Sequence, residues 1–170
     1  MQRKNYVRGL AAFTLLVFML AGLVRPVAAQ EVSAFAVFEV VDCKAPGAKS
    51  MVLKGTKEKH CLASKPIVDQ NHLKMASSHT TGDGEPQLRL YLTEPGGELM
   101  RKATKRIMRE HQVDHNRGAL GIVVRGELLH VPTLRDVVSD EIILSGGLKQ
   151  EEIDELVYFL QAKARQNSQT

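Results

Sequence analysis

The chain has 170 residues, 44% of them apolar, 25% charged and 5% aromatic, with no Trp; this composition excludes a collagen, a disulfide-packed miniprotein and a disordered tail. The formal charge of +4 invites a nucleic-acid or acidic-membrane partner, but Arg3, Lys4, Arg8 and Arg25 supply the whole excess. Over residues 30–170 bases and acids balance, so the basic character belongs to the leader.

That leader has a recognisable order. Arg3, Lys4 and Arg8 open it, residues 9–24 are uncharged and mostly apolar, and Val27, Ala28 and Ala29 are the small residues at which signal peptidase cuts. Residues 1–29 are therefore expected to be a signal peptide, and residues 30–170 a single exported domain. The apolar run, about 16 residues, falls short of the roughly 20 that span a bilayer, which leaves a retained anchor as the alternative. Export places Cys43 and Cys61 in an oxidising compartment, where one bridge between them is expected, worth about 3 kcal/mol on the chain-entropy argument. A reactive thiol at Cys61, next to His60, is the competing reading.

Residues 33–41, with Phe35, Val37 and Phe38, predict a strand ended by Pro46-Gly47. Residues 51–53 and 59–62 predict a second strand or pair around Gly55, tied to the first by the bridge. Residues 69–76 predict a short helical turn capped by Asp69, and residues 77–85, polar and containing Gly82-Asp83-Gly84, a turn or mobile loop. Leu88, Leu90 and Leu92 alternate with polar neighbours as a half-buried strand does, and residues 93–96 predict a turn. Residues 97–111 predict a helix with Met100, Ala103, Ile107 and Met108 inward. Residues 118–124, the turn Arg125-Gly126-Glu127 and residues 128–131 predict a hairpin ending at Pro132. A strand at 142–144 and a helix at 150–164, with Ile153, Leu156, Val157 and Leu160 inward, complete an α+β fold: a mainly antiparallel sheet with helices packed on one face.

Residues 35–163 resemble the first periplasmic head subdomain of SecD, the protein-export membrane component that works with SecF. The matching features are Phe38-Glu39-Val40, residues 62–68 with Lys65-Pro66-Ile67-Val68, the spacing from Gly96 to Thr104, the hairpin of residues 122–132, and residues 143–146 followed by Glu151-Glu152. Three positions depart from that pattern: Arg125 replaces the usual Asp of the turn, Val131 precedes Pro132 where Ala is usual, and Lys149 stands where a Thr usually caps the last helix. The resemblance implies the head's shape and contact with exported polypeptides. It does not imply the proton-driven work of the family's membrane-spanning helices.

Catalytic patterns are absent. No nucleophile elbow, phosphate loop or dinucleotide fingerprint occurs, and Asp136, Asp140 and Glu141 are expected to be solvated acids around a turn. His111 and His115 have helical i, i+4 spacing, but the following residue is Gln112, which cannot serve as a general base. His111, Asp114 and His115 are either a surface metal site or plain exposed residues at a helix end, and a small metal-binding protein or metal-assisted hydrolase using His111 and His115 is the alternative to a binding module. Arg101, Lys102, Lys105, Arg106 and Arg109 form one cationic helix face, a partner-binding candidate for a polypeptide, an envelope protein or an anionic membrane surface. Its competing reading is a solvated face paired with Glu98, Glu110 or the acidic turns of the last helix. Scarce aromatics and export argue against nucleic acid. The expectation is a non-enzymatic exported binding module without cofactor or metal, periplasmic or extracellular.

Overall fold

The computed structural model describes residues 33–112 and 118–167; the leader and His115 lie outside them. In chain order the elements are β1 (Phe35–Glu39), β2 (Lys49–Val52), β3 (Lys59–Leu62), β4 (Val68–Asp69), β5 (Leu73–Thr80), β6 (Pro86–Leu92), α1 (Glu94–Gln112), β7 (Leu120–Val124), β8 (Glu127–His130), β9 (Glu141–Ser145) and α2 (Gln150–Asn167). The fold is α+β, and these strands pair with one another antiparallel; a single bridge from Leu53 to Leu128 on β8 is parallel. The strands divide among three sheets: β4-β1-β7-β8, the ribbon β2-β3, and β5-β6-β9.

The main core lies between the first and third sheets and the two helices. Phe35, Val37, Leu120, Ile122 and Val124 enter it from one sheet, Leu88, Leu90, Ile142 and Leu144 from the other, Met100 and Ile107 from α1, and Ile153, Leu156 and Leu160 from α2. A second cluster, Leu62, Val123 and Leu128, forms where the β2-β3 ribbon folds over the other face of β7. β7 is consequently buried along its whole length, which explains why it is apolar at every position and does not alternate. Gly121 allows that approach, because a Cβ there would run into the Leu62 side chain.

Two sequence expectations need correction. Residues 73–80 form strand β5 rather than the end of a helical turn followed by a mobile loop; the loop is confined to the hairpin turn at 81–85, where Gly84 N–H donates to Thr81 O. A bulge between Leu73 and Met75 explains the error: it spaces the two inward residues, Leu73 and Ala76, three apart, as a helix would. The helical turn itself is only Gln70–His72, capped as expected by Asp69, whose carboxylate accepts from Asn71 N–H. Helix α1 also begins earlier than residue 97. Thr93 Oγ1 accepts from Gly96 N–H, and Pro95 fits because no N–H is needed in a first helical turn.

Candidate interaction surfaces

Arg101, Lys102, Lys105, Arg106 and Arg109 all lie exposed on α1, opposite the buried line Met100, Thr104 and Ile107. They are not equivalent. Arg101 meets Glu98 at 2.8 Å, and that hydrogen bond holds the Glu98 carboxyl below its ordinary pKa. Arg106 reaches Glu39 on β1 at 2.6 Å and Glu110 at 2.7 Å. Lys102 is only within 4.0 Å of Glu98, while Lys105 and Arg109 make no ion pair with a described residue. The acidic start of α2 does not serve this face. Glu152 pairs with Lys54 at 3.4 Å and Glu155 with Arg125 at 2.6 Å. The neutralised part of the face thus uses local acids and β1, leaving Lys102, Lys105 and Arg109 as a sparse cationic crest.

His111 borders a hollow of about 330 Å³ with Glu39 and Asp42 on its rim. Both Glu39 carboxylate oxygens face Arg106, and among the described residues no three His, Cys, Asp or Glu side chains converge as metal ligands. Asp114 and His115 lie outside the described residues. Cys43 and Cys61 are disulfide-bonded, which joins the turn after β1 to β3.

The sheet borders provide the feature that residue types alone do not reveal. In the third sheet Leu92 N–H donates to Asp140 O at 2.8 Å. Given the register Leu90↔Ile142 and Leu88↔Leu144, the peptide groups of Asp140, Ile142 and Leu144 face β6. Those of Glu141, Ile143 and Ser145 therefore point away from the sheet. Among the described residues no strand covers this border, and the Ile143 side chain beside it is 43% exposed. The opposite border is treated differently. By the same alternation β5 turns the peptide groups of Ala76 and Ser78 outward, and α2 packs beside them: Gln161 Nε2 donates to Ala76 O at 2.9 Å, occupying one outward carbonyl, and Gln150 Nε2 donates to the Ser78 side chain, Oγ, at 2.8 Å. In the first sheet β4 has only two residues, and the β8 border is met by the chain after β2, where Lys54 N–H donates to Leu128 O at 2.8 Å. A cleft of about 350 Å³ between Met51, Val52, Lys54 and Glu127 marks where that contact opens.

The geometry upstream of β9 is fixed from the core. Thr104, fully buried on α1, donates to Met100 O and accepts from Val138 N–H at 3.1 Å, pinning the chain three residues before β9. This gives a physical reason for the Thr at that place in the resemblance. Gly96, its partner in the spacing, lies where a Cβ would crowd His72. The turn at Arg125 also has a structural use: at φ 53 it is in the left-handed region, its guanidinium sits 4.4 Å from the Phe159 ring centroid and pairs with Glu155. Lys149 lacks a capping oxygen, but its N–H donates to Glu152 at 3.0 Å, half of a capping box, and this holds the Glu152 carboxyl below its ordinary range.

Comparison with known proteins follows the same outline. The family model for the SecDF P1 head subdomain matches residues 48–164. The crystal structure of SecDF in its super-membrane-facing form is similar at a TM-score of 0.57 and 16% identity, over 76% of this chain and 19% of that one. A structure of SecDF described as a membrane component that enhances protein export has a TM-score of 0.57 at 17% identity, over 95% of this chain and 76% of that one. These identities speak for the fold alone. No curated protein sequence matches the chain.

Proposed function

The chain belongs to the SecDF P1 head subdomain family, and from that membership we propose that it is a non-enzymatic, exported binding module that takes an extended polypeptide as an added strand on β9. The observation that carries this reading is the border at Glu141, Ile143 and Ser145, unpaired among the described residues, which offers N–H and C=O groups in strand geometry beside an exposed apolar side chain. Backbone pairing of that kind suits clients of many sequences, as polypeptides in export are. A similar solved structure, described as a membrane component that enhances protein export, supports the client class. Residues 1–29 act as the signal segment, and residues 30–170 work in the periplasm or outside the cell; the Cys43–Cys61 bridge suits such a compartment. Lys102, Lys105 and Arg109 add a weak, salt-sensitive attraction for acidic stretches of a client or for an anionic envelope surface.

The test uses purified protein and a permanently unfolded polypeptide, without nucleotide or metal. Wild type is expected to bind it, and Ile143→Pro to lose most of that binding while keeping its circular dichroism, because the proline removes an outward N–H that β6 does not use. Equal binding by wild type and Ile143→Pro would overturn the β9 assignment. Absence of binding by wild type would overturn the function.

A further inference from the structure

We propose that β9 is self-complementary, and that two copies of this chain pair antiparallel through it about a two-fold axis at Ile143. The inference uses the border described above but does not depend on the polypeptide reading. Residues with outward peptide groups, Glu141, Ile143 and Ser145, are spaced symmetrically about Ile143. A two-fold through Ile143 sets Ile143 against its copy and Glu141 against Ser145, so every outward donor meets an outward acceptor. The two exposed Ile143 side chains then cover one another, forming an aliphatic cross-strand pair.

Charge selects the antiparallel arrangement. The approach to β9 is net acidic, with Asp136, Asp140 and Glu141 against Arg135, whereas the chain leaving it holds Gly146, Gly147 and Lys149. Antiparallel pairing places the acidic end of one copy along the glycines and lysine of the other. Parallel pairing would set Glu141 against Glu141. Nor does the border carry the devices that usually prevent such pairing: β9 has no proline, lysine or bulge, and its single charge, Glu141, already faces Arg89 Nη1 at 3.4 Å. A five-residue strand buries far less area than a permanent dimer, so the association is reversible and rises with concentration.

Ile143→Cys provides the test. Cα atoms of such a facing pair lie about 5.5 Å apart, within disulfide range, and Cys43 and Cys61 are already joined to each other. Mild oxidation is expected to give a covalent dimer of Ile143→Cys and of a Glu141→Cys with Ser145→Cys mixture, but not of Ser78→Cys on the β5 border, whose side chain lies against Gln150 of α2. Sedimentation of wild type should show a mass that rises with concentration, flattened in both Ile143→Pro and Ile143→Lys. A concentration-independent monomer mass, or crosslinking of Ile143→Cys no greater than that of Ser78→Cys, would overturn the proposal. Self-crosslinking by Glu141→Cys alone would overturn the antiparallel register. A monomer that still binds unfolded polypeptide defeats the dimer and leaves the function standing; a dimer that binds no polypeptide does the reverse.

Discussion

Arg125 shows how a departure at one residue is accommodated. An L-residue in the left-handed region carries a strain of about 1 kcal/mol, and the contacts of Arg125 with Glu155 and Phe159, partly exposed, return about as much. Arg125→Gly, which relieves the strain and loses the contacts, is expected to change stability little. Arg125→Ala keeps the strain and should cost about 1 kcal/mol in urea unfolding. The turn was legible in the sequence; the service of its arginine to α2 was not, because the two are 30 residues apart. His130 carries a pH prediction. Half-buried on β8, it has a pKa held below 6.5 by burial. The unfolded chain therefore takes up that proton first, and stability should fall as pH drops from about 6.5 toward the lower native value, with no effect above it. His130→Phe should flatten that slope in pH-dependent unfolding, while the depressed carboxyls of Glu98, Asp140 and Glu152 act only in the acid range below it.

Among the elements, those with an uninterrupted period were legible in the sequence, namely β6, α2 and most of α1, as was the β7-β8 hairpin, whose continuous apolar run is closed by the turn at Gly126. β5 was missed because its bulge imitates helical spacing, and the start of α1 because a proline tolerated in a first turn looks like a break. The cationic face of α1 was visible as spacing, yet its division depended on Glu39, far away in sequence. Replacing Lys102, Lys105 and Arg109 by Gln should leave stability unchanged and reduce the salt dependence of client binding; unchanged salt dependence would remove the crest from the interaction. The β2-β3 ribbon is anchored by the Cys43–Cys61 bridge and by Leu62 over Gly121. Cys43→Ser/Cys61→Ser is expected to lose about 3 kcal/mol. Gly121→Ala should lose about 1–3 kcal/mol by overpacking against Leu62. Chemical denaturation measures both.

For the molecule as a whole, the family outline was legible in the sequence and the proposed site was not. Which side of a strand lacks a neighbour is a property of sheet order, and nothing in residues 141–145 states that β9 stands last among the described strands of its sheet while β5, two strands away, lies beside α2. Binding at β9 should also be visible globally: a polypeptide that joins only the folded state raises the melting temperature with its concentration, and Ile143→Pro should abolish that shift. The cover supplied by Gln161 and Gln150 has one more effect. Fibrous accretion needs two open flanks on each unit, so that every arrival presents a fresh landing place. Here one outward carbonyl of the far flank, that of Ala76, is already taken by Gln161, so that flank is a poorer landing place than β9 and a strand or sister molecule received at β9 is less apt to seed a filament.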